Sequence, residues 1–168
     1  MKKLISLILA VLMLLSLCAS AFAEEPVLAS TKSLTAVLDS QNLTYTCYGL
    51  DNDGDDHLSI GVSNDELGLK YTMELFFSDD LEAAYAYVWY LISYSAENQA
   101  AVTALCNEIN SAYRYATFNA DDRDNTVTFK YATFLRSVDD AGAIVFDMMT
   151  TMANVIDDVY PYLAGYAS

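Results

Sequence analysis

Histidine is almost missing from this chain: His57 is the only one in 168 residues. That removes multi-histidine zinc sites and leaves a histidine-based catalytic triad resting on one position. No glycine-rich phosphate loop and no Gly-x-Ser-x-Gly elbow occurs. Basic residues are scarce as well, eight against twenty-three acids, for a net charge of −15. Such a chain is repelled by phosphate backbones and anionic lipid, which leaves out nucleic acid as a partner. With two prolines and six glycines there is no linker, low-complexity tract or repeat to divide it.

What is present begins with an address. Met1-Lys2-Lys3 is a short cationic start, and Leu4 to Leu17 is an apolar run of fourteen residues. Ala21-Phe22-Ala23 then places small residues three before and one before Glu24. The pattern is that of a bacterial secretory signal peptide, 1–23, cut ahead of Glu24. A retained anchor calls for about 20 apolar residues. A lipoprotein reading through Cys18 calls for a small residue in front of it, where Leu17 stands. The expected mature chain is therefore 24–168, one domain in the secreted or extracytoplasmic space, with no membrane association after cleavage. It holds 145 residues at a net charge of −17, enough to bury a core without staples. Cys47 and Cys106 remain in it; an oxidising exterior permits a bridge, and buried free thiols are the other reading.

Hydrophobic periodicity outlines nine elements. Ser30 is a candidate N-cap for a helix over Thr31 to Ser40, with Leu34, Val37 and Leu38 as its stripe. Leu43–Leu50, Leu58–Val62 and Leu69–Phe77 alternate at period two and are joined by polar turns, as in an antiparallel meander. Aromatic and branched residues from about Tyr85 to Tyr94 predict a fourth strand. Val102, Leu105, Cys106, Ile109 and Tyr113 mark a helix within Ser95 to Tyr113. Arg114–Phe118 and Thr126–Phe134 read as strands; a last helix starts near Ser137 and is expected to stop at Pro161. The order α-β-β-β-β-α-β-β-α predicts an α+β domain, an antiparallel sheet with three helices.

Candidate chemistry is thin. Asp51, Asp53, Asp55 and Asp56 invite a calcium reading, but an EF-hand loop begun at Asp51 puts Asp56 and Val62 where Gly and Glu belong. A hairpin turn around Asp53-Gly54 is the plainer reading. His57 beside that turn reads as an exposed structural residue. Among thirteen tyrosines, Tyr85 and Tyr87 read as packing against the helices, while Tyr48, Tyr90 and Tyr94 fall opposite the expected core. Met148, Met149 and Met152 read as core.

Four segments together resemble the YbjN family, named for bacterial sensory transduction regulation. They are Leu38 to Tyr45 leading into the first strand, Asn107-Glu108-Ile109-Asn110 closing the middle helix, Phe118 before an acidic turn, and Asp157-Asp158-Val159-Tyr160-Pro161. The resemblance implies a fold like that of type III secretion chaperones and a non-enzymatic protein-binding role, without cofactor. It departs from those chaperones in location, since they are cytosolic. Asn107, Asn110 and Tyr160 are expected to serve the fold, the two amides by bonding backbone at the helix-to-strand junction. The expected function is a secreted or envelope-associated binding, chaperone-like or regulatory module whose partner is a protein or a second copy of the chain. The alternative is a small extracytoplasmic hydrolase using a carboxylate pair, Glu74 with an Asp from a nearby turn.

Overall fold

Strands that alternate apolar and polar residues pair side by side only if one face is covered, and here three helices cover it. The computed structural model describes residues 24–78 and 83–168. The elements are α1 (Ala29–Ser40), β1 (Thr46–Leu50), β2 (Asp56–Asn64), β3 (Leu69–Phe77), β4 (Ala83–Ser93), α2 (Gln99–Ala112), β5 (Ala116–Asp121), β6 (Thr126–Phe134) and α3 (Val138–Leu163). The expected α+β fold, with its α-β-β-β-β-α-β-β-α order, is the one observed. The six strands form an antiparallel sheet in the order β1-β2-β3-β4-β6-β5. The proposed leader, 1–23, lies outside the described residues. Among the described residues no helix is long and apolar enough to cross a membrane.

The core lies between the sheet and α1, α2 and α3. Leu58, Leu75, Phe77, Val88, Val127 and Phe129 point to the helices, and Leu34, Leu38, Val102, Val145, Met152 and Ile156 meet them. Across β4 the covered face is Ala84, Ala86 and Val88, all fully buried. α1 and α3 cross so closely that Gly142 N–H donates to Ser33 Oγ at 3.1 Å. A Cβ on Gly142 would stand 2.3 Å from the Ser33 carbonyl oxygen.

Several boundaries differ from the sequence reading. Leu28, not Ser30, is the N-cap of α1, and Ser30 is buried inside the helix. No side chain caps its first turn; Asp56 instead anchors the segment leading into it, its Oδ2 accepting Val27 N–H at 2.7 Å and Leu28 N–H at 2.8 Å. Asn42 (φ 55°) ends α1 in the left-handed region, so the next strand starts at Thr46 rather than Leu43. Pro161 sits inside α3, which continues to Leu163 because only one hydrogen bond is forfeited near its end. Ser137 does cap α3, its Oγ accepting Asp140 N–H at 3.3 Å.

Cys47 and Cys106 are both free and buried. β1 is one edge of the sheet, and α2 packs beside β5 at the other. Five strand spacings, about 24 Å, separate those edges, far beyond the reach of a disulfide.

Candidate functional site

Among the described residues the helices leave one face of the sheet uncovered, and aromatic rings collect there. Register explains why. His57 lies opposite Phe76, which lies opposite Tyr85, and Glu74 lies opposite Tyr87, which lies opposite Lys130. Side chains alternate along each strand, so all of these share the face away from the core. Tyr48 joins them through a bulge: Cys47 pairs with Leu58 and Gly49 with His57, leaving Tyr48 to turn outward.

The rings touch in sequence across the sheet. Tyr48 stacks on His57 at 4.5 Å between centroids, and His57 stacks on Phe76 at 4.5 Å, nearly parallel at 6°. Phe76 meets Tyr87 edge-on at 5.8 Å, and Tyr87 stacks on Trp89 at 4.5 Å. Lys130 Nζ stands 5.4 Å over the Tyr87 ring. Pairs of this kind contribute about 0.5–1.5 kcal/mol each beyond burial, so the row holds its own shape. Trp89 is 47 % exposed, Tyr48 47 % and Phe134 75 %, which leaves a broad apolar surface in water.

Polar groups hold the row in place. His57 Nε2 and Glu74 Oε2 are 2.6 Å apart, and Tyr48 Oη and Ser59 Oγ are hydrogen-bonded at 3.2 Å. His57 is thus no exposed turn residue. It lies within β2, held between two rings, because β2 starts at Asp56 rather than Leu58. Beside the row, β4 carries a second bulge between Val88 and Ile92. There Tyr90 adopts φ 57° while 66 % exposed. A bulky residue in the left-handed region is strained, and such strain gathers where a surface is used.

The sequence-level candidates separate by place. Asn110 clasps the β5 backbone, its Nδ2 donating to the Phe118 carbonyl at 2.9 Å and its Oδ1 accepting Phe118 N–H at 2.7 Å. Asn107 is exposed on α2 and makes no such bond, because it faces away from β5. Tyr160 is half-buried against the core. Tyr85 and Tyr87 lie on the uncovered face rather than under the helices, and Tyr94 is buried instead of exposed. Its single hydroxyl proton is shared between the Asp121 carbonyl at 2.9 Å and Gln99 Oε1 at 2.6 Å. The acidic turn is divided among separate tasks. Asp51 Oδ1 accepts Asp53 N–H and Asp55 N–H at 2.9 and 3.0 Å, while Asp56 is fully buried beneath α1. Among the described residues no three acids, histidines or cysteines gather as metal ligands. Glu74 is paired with His57, so the expected partner Asp is not beside it in that bond.

A concavity of about 480 Å³ lies between α2 and α3 on the helical side. Leu105, Ile109 and Val159 line it with Glu108 and Asp158, and both acids are exposed.

Comparison with known proteins bears on the fold. Crystalline E. coli YbjN superposes with a TM-score of 0.52 at 10 % identity, over 79 % of this chain and 93 % of that one. The chain has the YbjN fold. A chain of the ExsC–ExsE complex is also similar, at 12 % identity over 81 % of this chain and 92 % of that one, with a TM-score of 0.44. No family's sequence profile and no curated protein sequence matches the chain. The β4 part of the aromatic row leaves a signal in the sequence: Tyr85, Tyr87 and Trp89 alternate with Ala84, Ala86 and Val88.

Proposed function

We propose that this protein is a non-enzymatic, chaperone-like or regulatory binding module that engages another polypeptide on the open aromatic face. The observation that carries it is the row from Tyr48 through His57, Phe76 and Tyr87 to Trp89, ordered by ring contacts, half-buried along its middle and exposed at Tyr48 and Trp89. Tyr and Trp in such surfaces supply large contact area at low entropic cost, and exposed apolar patches of this kind mark interaction sites. The YbjN structure is described as that of a transcription regulator, which agrees with the regulatory part of this reading at the level of analogy. The cationic start, apolar run and Ala21-Phe22-Ala23 support a secreted or envelope location in a bacterium. The hydrolase reading has no such support: Glu74 sits on a sheet face, bonded to His57.

Trp89 is the only tryptophan, so its emission reports on this face alone. Titration with reduced, carboxymethylated ribonuclease A, which has no tryptophan, is expected to shift Trp89 emission to the blue. Phe134→Ala and Tyr90→Ala should each weaken binding about tenfold, the effect of losing roughly 1.4 kcal/mol at an interface anchor. Emission that stays put at saturating probe would sink the reading. A blue shift driven by the protein's own concentration, tracked by sedimentation, identifies a second copy as the occupant.

A further inference from the structure

The groove between α2 and α3 gathers negative charge that no basic side chain among the described residues answers. Buried Ile109 and Val159 and half-buried Leu105 form its floor, and exposed Glu108, Asp158 and Tyr162 stand along it. The lining comes from the C-terminal halves of both helices, α2 ending at Ala112 and α3 at Leu163. A helix C-terminus carries about half a negative charge on its unpaired carbonyls. A basic residue in the last turn is the usual counterweight, and neither helix has one. Pro161 adds a further acceptor, since it has no N–H to offer the Asp157 carbonyl. Among the described residues neither Glu108 nor Asp158 enters an ion pair, and no basic side chain lines the groove.

We propose that this groove docks a cationic amphipathic segment of a partner protein, with an apolar side chain on the floor and a Lys or Arg between Glu108 and Asp158. Two carboxylates and two helix ends select the positive head. The apolar floor selects the body, which a bare polyamine lacks. A volume of about 480 Å³ accommodates a few side chains and is open to a chain passing through. The groove lies on the opposite side of the sheet from the aromatic row, so it stands independently of the function proposed above.

The test measures fluorescence anisotropy of a labelled peptide of leucine and lysine at helical spacing, added to the purified chain at low salt. Binding is expected, and the Glu108→Gln, Asp158→Asn double variant should weaken it about tenfold, as for two exposed charge pairs. The Asp53→Asn, Asp65→Asn double variant makes the same change in net charge at exposed turns and should cost about twofold or less. Tyr162→Ala, at an exposed position, should also weaken binding. Equal losses in the two double variants would mean diffuse attraction to an acidic protein and overturn the proposal. So would spermidine competing as well as the peptide, or loss of binding in Trp89→Ala with the groove variants unaffected.

Discussion

Asn110 does with one side chain what a neighbouring strand would do with its backbone. Its amide pairs with both the N–H and the C=O of Phe118, on the side of β5 that no strand covers among the described residues. Asn110→Ala leaves both groups unpaired and should cost about 1–3 kcal/mol in urea unfolding. Asn107→Ala, three residues away and exposed, should stay within about 0.5 kcal/mol. Equal effects would refute the division of labour between the two amides. Tyr90 poses the opposite case. At φ 57° it is strained, so Tyr90→Gly should raise the melting temperature, by relief of about 1 kcal/mol, while weakening polypeptide binding. A variant that melted lower would show that Tyr90 packs usefully where it stands.

At the scale of elements, the α1–α3 crossing depends on the missing side chain of Gly142. A methyl there meets backbone, the Ser33 carbonyl, so the helices must separate to admit it. Gly142→Ala is expected to lose about 1–3 kcal/mol despite its better helix propensity. Chemical denaturation checks this, and a stabilised variant would mean that propensity outweighs the contact. The close crossing also accounts for β4. Small Ala84 and Ala86 lie beneath the helices, and the large Tyr85 and Tyr87 are therefore turned to the other face.

Taken whole, the molecule buries weak acids in neutral form. Burial pushes the Cys106 thiol up to about 11 and raises Cys47, Tyr45, Tyr71, Tyr94 and Tyr131 above their ordinary values. These groups keep their protons in the fold at a pH where the unfolded chain has lost them. Their contribution is thus intact below about pH 9, the ordinary thiol value, and for Cys106 is lost as pH rises to about 11. Unfolding midpoints should fall over that window, and Cys106→Val should flatten the decline; a midpoint that does not move would contradict it. Both sheet edges are also blunted, β5 by Asn110 and β1 by Glu24, whose N–H donates to the Cys47 carbonyl at 2.9 Å. At Phe118 and Cys47 these bonds occupy edge groups that an added strand would need.

The sequence by itself determined the order and type of the nine elements, because period-two and period-3.6 patterns are local. Leu69–Phe77 and Thr126–Phe134 could be read to the residue, since polar turns bound them on both sides. Alternation, however, divides a strand into two faces without saying which one the helices cover. In β4 that choice rested on the volume left under a close helix crossing, so Tyr85, Tyr87 and Trp89 became a surface row only in the folded chain. Asp56, four acids into an apparent turn, became the buried anchor of the segment leading into α1, through bonds to Val27 and Leu28. His57 likewise acquired Glu74, Tyr48 and Phe76 from three separate strands or strand positions. Contacts between residues distant along the chain exist only once loops have closed, and apart from the Tyr87–Trp89 stack within β4 the aromatic face and the groove are built from such contacts.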